Sequence, residues 1–406
     1  MSVVILGSGV IGVSTAYYLS ELILATDIHL VDASPRLFAS ASGYAAGFLA
    51  ADWFSPASAA LGQLSFDEHK RLADRHGGRE KWNYLAGSGY NYVPPDVIGN
   101  KRGDDWLRDG TSRAQVANAE FEKIADKDLP GWLNHHQGTV EIIGEAGSTA
   151  VVDPLKLCQF LLSECTNRGV NVHYPYSATT LEANESGEIT GLALHSSAKG
   201  NLHLPCTKLV VSAGSWSPRV FATLFPESLT KIPISSLAGH SVVVRSPRWT
   251  KEHESHGSHA VFTTDSDDDL SPEIFSRPGE EIWCGGLNHA ELPLPERPTD
   301  FAPDDASIER LLVASRKLVG VPPGQSDDLI ILRKGLCSRP ASAKGTPFIS
   351  RIEDEKLGGP RFPEGGVFLS SGHGPWGISL SLGTGKVTAE LVEGRRTSAD
   401  ISRLGL

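Results

Sequence analysis

The run Gly7-Ser8-Gly9-Val10-Ile11-Gly12 carries three glycines at GxGxxG spacing, and Asp32 follows about 20 residues after the last of them. Each residue type suits one task in holding a dinucleotide. Gly7 permits a tight turn, Gly9 lets backbone N–H groups approach a pyrophosphate, and Gly12 lets a helix pack close to a strand. Asp32, with Ala33 beside it, stands where an acid can bond ribose hydroxyls. The motif alone does not distinguish NAD from FAD. Other chemistry-bearing groups fit no site. The five cysteines, Cys158, Cys165, Cys206, Cys284 and Cys337, form no CxxC pair, which argues against a disulfide framework and a zinc site. His253, His256 and His259 stand three apart, but Lys251, Glu252, Glu254 and Gly257 around them read as a solvated loop. The acidic run Asp265 to Asp269 lacks a calcium loop's glycine and distal glutamate and reads as solvated surface. Leu382 to Lys386 lacks phosphate-loop spacing. No metal is expected.

The elements that must position the first motif are visible around it. Val3 to Leu6 is a short apolar run that predicts a strand, Val13 to Leu24 carries a helical pattern, and Asp27 to Val31 reads as the second strand. Asp153 is a good N-cap and Pro154 a good first residue for a helix whose apolar face is Leu155, Leu157, Cys158, Leu161 and Leu162. Leu209 to Ser212 predicts a buried strand, and Ala213-Gly214 at its end permits close ligand approach. Ile232 to Arg245 and Glu273 to Leu287 contain strand-like runs bounded by Pro, Gly and Ser. Gly372, Gly374 and Gly377 form a compact loop that feeds a helical pattern from Ile378 to Val392.

A chain of 406 residues with 40% apolar content can bury a large core, and two interleaved domains are expected. The formal net charge of -11 repels phosphate backbones, so nucleic acid is not expected as a partner. The apolar stretch from Val3 to Leu24 is broken by Gly7, Gly9, Gly12, Ser14, Ser20 and Glu21 with no basic residues ahead, so neither a signal peptide nor membrane insertion is expected. Arg403 to Leu406 matches no sorting tripeptide, and the cysteine usage suits a reducing compartment, so the cytoplasm is the expected location.

Four segments, in matching order and spacing along essentially the whole chain, resemble the D-amino acid oxidase and glycine oxidase superfamily of FAD-dependent oxidoreductases. They are Ser40-Ala41-Ser42-Gly43-Tyr44-Ala45-Ala46-Gly47-Phe48-Leu49, Val152-Asp153-Pro154, Val210 to Ser217, and Ser371-Gly372-His373-Gly374-Pro375-Trp376-Gly377-Ile378. The resemblance implies an α/β fold: a Rossmann-like FAD-binding domain with an interleaved antiparallel-sheet substrate domain, as in glycine oxidase. Segments 1–61, 151–216 and 335–406 are expected to bind FAD, and 62–150 and 217–334 to form the substrate domain. Beyond the first motif and Asp32-Ala33, the expected FAD contacts are Ser40, Ser42, Gly43, Ala45, Ala46, Gly47, Phe48, Ala213, Gly214, Trp216 and Gly372 to Ile378. In the family the helix after that last loop points at the flavin, whose developing negative charge its dipole would stabilise.

On the substrate side, Cys337-Ser338-Arg339-Pro340-Ala341-Ser342 resembles the family's RP strand, ahead of a glycine turn and the short apolar strand Gly345 to Ile349. The resemblance implies that Arg339 binds a substrate carboxylate, and a guanidinium does offer a planar bidentate fork for that purpose. A surface ion pair is the competing role for Arg339. Trp376 and His373 complete the expected catalytic set, Trp376 as an apolar or aromatic wall to which Tyr44 and Trp53 could add. Gly239-His240-Ser241 is expected to be a turn near the flavin, with His240 structural. FAD is expected to be held non-covalently, with a covalent link through Cys337 as the alternative. The implied reaction is hydride transfer to flavin N5 from a carbon bearing a neutral amine, hydrolysis of the imine, and reoxidation by O2 to give H2O2, with an amine or amino acid as substrate and no general base. Two alternatives stand beside it: a dehydrogenase with a different electron acceptor, and a flavin-binding structural or trafficking protein.

Overall fold

A computed structural model describes residues 2–95, 122–123, 129–134, 138–145, 147–263, 270–321, 324–362 and 365–406. The acidic run Asp265 to Asp269 lies outside the described residues. Val3–Leu6 is apolar on both faces, so it forms a strand only where both faces are covered. It lies inside a six-stranded sheet in the order Phe348–Ile352, Gly366–Ser371, Lys208–Val211, Val3–Leu6, Ile28–Val31 and Asn171–His173. All neighbours are parallel except the first pair, which is antiparallel. Helices Val10–Leu19, Pro154–Arg168 and Ser381–Val392 cover one face, and Val3, Ile5, Val13, Leu157, Leu161, Phe368 and Leu382 bury together between them. Each such side chain contributes about 1.5–3 kcal/mol on burial. A three-stranded antiparallel sheet, Ser177–Ala183, Ile189–Ser196 and Gly200–Pro205, packs on the other face.

The second unit is a mostly antiparallel sheet with Ile330–Ser342 at one edge, then Ile234–Arg245, Glu281–His289, Leu270–Arg277, Ser258–Thr263 and Leu85–Val93. Helix Asp305–Val319, capped by the Asp304 carboxylate accepting from Ser307 N at 2.7 Å, packs behind it. Because side chains alternate along a strand, one face of this sheet looks away from that helix towards the glycine loops of the first unit. That face carries the site.

Several element bounds differ from the sequence expectation, each for a local reason. The first helix begins at Val10, because Gly9 itself serves as its N-cap, and ends at Leu19, where the Ser20 hydroxyl turns back to donate to Tyr17 O at 2.7 Å. The last helix begins at Ser381, because a 3₁₀ turn, Gly374–Trp376, forms first. Glu273 to Leu287 is two strands of a hairpin whose turn puts Gly279 at φ 92° and Glu280 at φ 62°. Gly239-His240-Ser241 is mid-strand rather than a turn. His259 lies in a strand with its ring against Trp132 and Trp249, not in a solvated loop.

Candidate active site

Strand Val3–Leu6 delivers the chain into Gly7 at φ 104°, a conformation that favours glycine. A Cβ on Gly12 would stand 1.8 Å from the Gly7 carbonyl oxygen, so helix and turn can touch only if residue 12 is glycine. Asp32 closes the neighbouring strand and accepts from Ser8 N through Oδ2 and from Ser34 N through Oδ1, both at 2.8 Å. Its carboxyl is raised above the usual range because burial outweighs those two bonds. Ser42 Oγ accepts from Val10 N at 2.9 Å, which ties the Ser40 to Phe48 loop to the helix N-terminus.

These parts open into one cleft of about 350 Å³ between the two sheets. Of the residues predicted to hold FAD, Gly7, Gly9, Val10, Ile11, Asp32 and Ala33 line one end. Ser40, Ser42, Ala45, Ala46, Gly47 and Phe48 line the middle, with Ala213, Gly214 and Trp216 beside them and His373, Gly374, Pro375, Gly377 and Ile378 opposite. Ser8, Gly12, Gly43, Gly372 and Trp376 are not in the lining. Ser8 and Gly12 lie behind it, fastening turn to helix and to Asp32. The Trp376 ring packs edge-on against Phe54 at 4.9 Å, and Trp53 is buried against Phe48 and Phe262. His373 is buried with Nε2 3.1 Å from Thr384 Oγ1, and burial lowers its pKa to about 3, so the ring is neutral.

Arg339 and Cys337 sit on strand Ile330–Ser342 and line the same cleft. The Arg339 guanidinium donates to Asn288 Oδ1 and lies over Gly239, where a Cβ would come within 2.6 Å of Nη1. Gly239 is therefore the floor that lets the guanidinium lie flat. Burial raises the Cys337 thiol pKa.

Sequence reading missed how the middle loop is held. Arg333 Nη1 donates to Gly43 O at 2.9 Å, Trp283 Nε1 to Tyr44 O at 3.0 Å, and Arg277 to Ala45 O at 2.7 Å and, through Nε, to Ala46 O at 3.0 Å. Four consecutive carbonyls are thus bonded from the facing sheet. The alternation Glu273, Phe275, Arg277 was a signal that these residues share a face, but nothing local showed which carbonyls that face would meet.

Residues 2–391 match the DAO family, described as FAD dependent oxidoreductase. The chain belongs to this family. Among relatives of this DAO-family chain is an oxidoreductase-named protein of Schizosaccharomyces pombe, 27% identical over 99% of this chain and 97% of its own length. A D-amino acid dehydrogenase of Methylobacterium sp. (strain 4-46) is 25% identical over 97% of this chain and 96% of its own length. Glycine oxidase from Geobacillus kaustophilus superposes with a TM-score of 0.73 at 20% identity, covering 100% of this chain and 98% of that one. Iminodiacetate oxidase from Chelativorans sp. BNC1 gives 0.73 at 18% identity over 99% and 98%. These two likenesses establish the fold.

The cleft fits the family's FAD. Gly9 would bear a Cβ close only to Ser42 Oγ, at 3.1 Å, so a pyrophosphate can approach the helix N-terminus. The buried Ser8 hydroxyl and the N–H groups of Ala46 and Gly47 have no partner among the described residues. Unpaired polar groups in or beside an enclosed cleft suit a ligand rich in acceptors.

Proposed function

We propose that this DAO-family enzyme oxidises a carbon–nitrogen bond of an amino acid or amine, the imine product being hydrolysed in water and O2 serving as terminal acceptor to give H2O2. Bound FAD supplies the hydride acceptor, N5, and the chain's own residues hold it and position the substrate. The observation that carries the reading is the Arg339 guanidinium lying over Gly239 in the cleft wall, a planar fork placed to take a carboxylate. His373 is neutral at physiological pH and offers no charge to the site; its role is to close the cleft wall beside Gly374. Trp376 supports that turn through Phe54. The predicted division into FAD-binding segments 1–61, 151–216 and 335–406 and substrate segments 62–150 and 217–334 is supported by how the strands sort between the two large sheets, with Ile330–Ser342 crossing one limit.

We place FAD as non-covalently held, since the buried Cys337 thiol is kept protonated; all flavin should pass into the supernatant on denaturation. Five free, buried cysteines support a cytoplasmic location. No helix of the described residues is long and apolar enough to cross a membrane. The direct test is an anaerobic absorbance scan with amino acids, N-methyl amino acids, glycated amines and simple amines in turn. Bleaching of the oxidised-flavin bands by one class supports the reading and names the substrate class; no bleaching by any class overturns it in favour of a non-catalytic flavin-binding role. The relative named a D-amino acid dehydrogenase favours a second reading, with an acceptor other than O2. Oxygen consumption by the reduced enzyme decides between them.

A further inference from the structure

Arg277 is 1% exposed and forms no ion pair among the described residues. Its guanidinium spends its donors on backbone carbonyls, those of Ala45 and Ala46. Burying a cation with no carboxylate in ion-pair contact costs several kcal/mol, and the carbonyl dipoles, with the more distant Asp153 and Glu281 carboxylates, recover only part of that. The charge is retained all the same, since burial lowers the pKa only to about 10.

What distinguishes Arg277 from the other fasteners is the direction of the next amide. In a trans peptide the N–H of residue i+1 points opposite to the C=O of residue i. Arg333 and Trp283 hold Gly43 O and Tyr44 O, but the amides that follow are already used inside the turn: Tyr44 N bonds Ser40 O at 3.3 Å and Ala45 N bonds Ala41 O at 2.9 Å. Arg277 holds Ala45 O and Ala46 O, and the amides that follow, Ala46 N–H and Gly47 N–H, have no partner among the described residues. Both residues line the cleft.

We propose that Arg277 is a positioning residue that turns the Ala46 and Gly47 N–H groups into the cleft as a paired donor for the flavin of FAD, and polarises them so that they bind reduced FAD more tightly than oxidised FAD. Negative charge on the flavin grows on reduction, so donors backed by a buried cation favour that state. The inference rests on FAD occupying this cleft and is independent of the substrate.

The test measures FAD affinity of the apo-protein by fluorescence titration, the absorbance spectrum of bound flavin, and its reduction potential, in wild type, Arg277→Met and Arg333→Gln. Arg277→Met is expected to weaken FAD binding about tenfold, shift the flavin bands, and lower the potential by about 30 mV for each tenfold loss of preference for the reduced form. Arg333→Gln, which frees Gly43 O and no cleft amide, is expected to leave the affinity within about twofold of wild type and the potential within about 10 mV of it. Should Arg277→Met fail to fold, Arg277→Lys keeps the charge without the fork and is expected to give part of the same drop. A folded Arg277 variant with unchanged spectrum and potential would overturn the proposal. So would Arg333→Gln if it moved the potential as far as Arg277→Met does, since the loop would then merely be fastened. Wild-type protein that binds no FAD would overturn its premise before any variant is read.

Discussion

At the scale of single residues, the site depends on a large side chain lying over a glycine. Removing the Arg339 guanidinium deletes a charged hydrogen bond worth about 1.5–3 kcal/mol, so Arg339→Leu should raise KM for a carboxylated substrate roughly 10- to 100-fold while leaving a neutral amine nearly unaffected. Equal effects on both would refute the carboxylate role. Gly239→Ala tests the same geometry from below. Its Cβ would meet Nη1 at 2.6 Å, and since that atom is the end of a flexible side chain, the guanidinium should move and the fold should survive. Steady-state kinetics should show a several-fold rise in KM with little change in melting temperature. A large drop in melting temperature would show Gly239 to be a packing residue instead. Arg339 was legible in the sequence because it stands in a short motif, Arg339-Pro340 before a glycine turn. Gly239 and Arg277 were not, because their partners are 100 or more residues away: Gly239 meets Arg339, and Arg277 meets Ala45 and Ala46. Long-range register, not local pattern, decides such contacts.

Helices and strands were legible to the degree that their signals are local. The Val3–Leu6 strand and the capped helix Pro154–Arg168 follow from patterns within a few residues, and the structure contains both, whereas the Gly9 cap, which starts the first helix three residues early, was not read from the sequence. Two elements tested by substitution show how unequal such signals are. Asp153 accepts from Lys156 N at 3.1 Å as an ordinary N-cap, so Asp153→Ala should cost about 1 kcal/mol in denaturant unfolding and no more. Gly12 is different, because its Cβ would overlap the Gly7 carbonyl at 1.8 Å and backbone cannot swing aside. Gly12→Ala should cost at least the ~1–3 kcal/mol of an overpacked core, and should also weaken FAD binding by moving the helix N-terminus, as isothermal titration would register. If Gly12→Ala bound FAD normally, the turn could not be the phosphate cradle. What the pattern could not supply was where the last helix starts, since Gly374–Trp376 is helical in sense but 3₁₀ in geometry and the α-helix begins only at Ser381.

At the scale of the whole molecule, buried neutral histidines set the acid limit of the fold. His69, His240 and His373 are each 3% exposed or less, and burial lowers their pKa values to about 4, 4 and 3. They sit in both units: His69 is bonded to Ile378 O at 3.0 Å beside the first sheet, and His240 lies in the second, 3.2 Å from Asp304 N. An unfolded histidine takes up a proton near pH 6.5. Below that pH the unfolded chain binds protons that the folded chain refuses, so stability falls as pH falls, by about 1.4 kcal/mol per pH unit for each histidine, until the folded rings themselves protonate near pH 4. These three groups alone contribute about 4 kcal/mol per pH unit between roughly pH 6 and pH 4.5, against a total stability of about 5–15 kcal/mol, and His259, also lowered by burial to about 4, adds to that slope. Asp32, whose carboxyl is raised by burial, works in the opposite sense, adding stability at low pH that is lost as pH rises above the unfolded aspartate value. Melting temperature measured against pH should therefore be flat above about pH 7 and fall steeply below 6.5. His69→Gln keeps a donor for Ile378 O and cannot protonate, so it should reduce that slope by about 1.4 kcal/mol per pH unit while leaving the alkaline plateau in place. A profile of His69→Gln parallel to wild type through pH 5 would mean that His69 is charged in the fold and that its burial is not what limits the protein in acid.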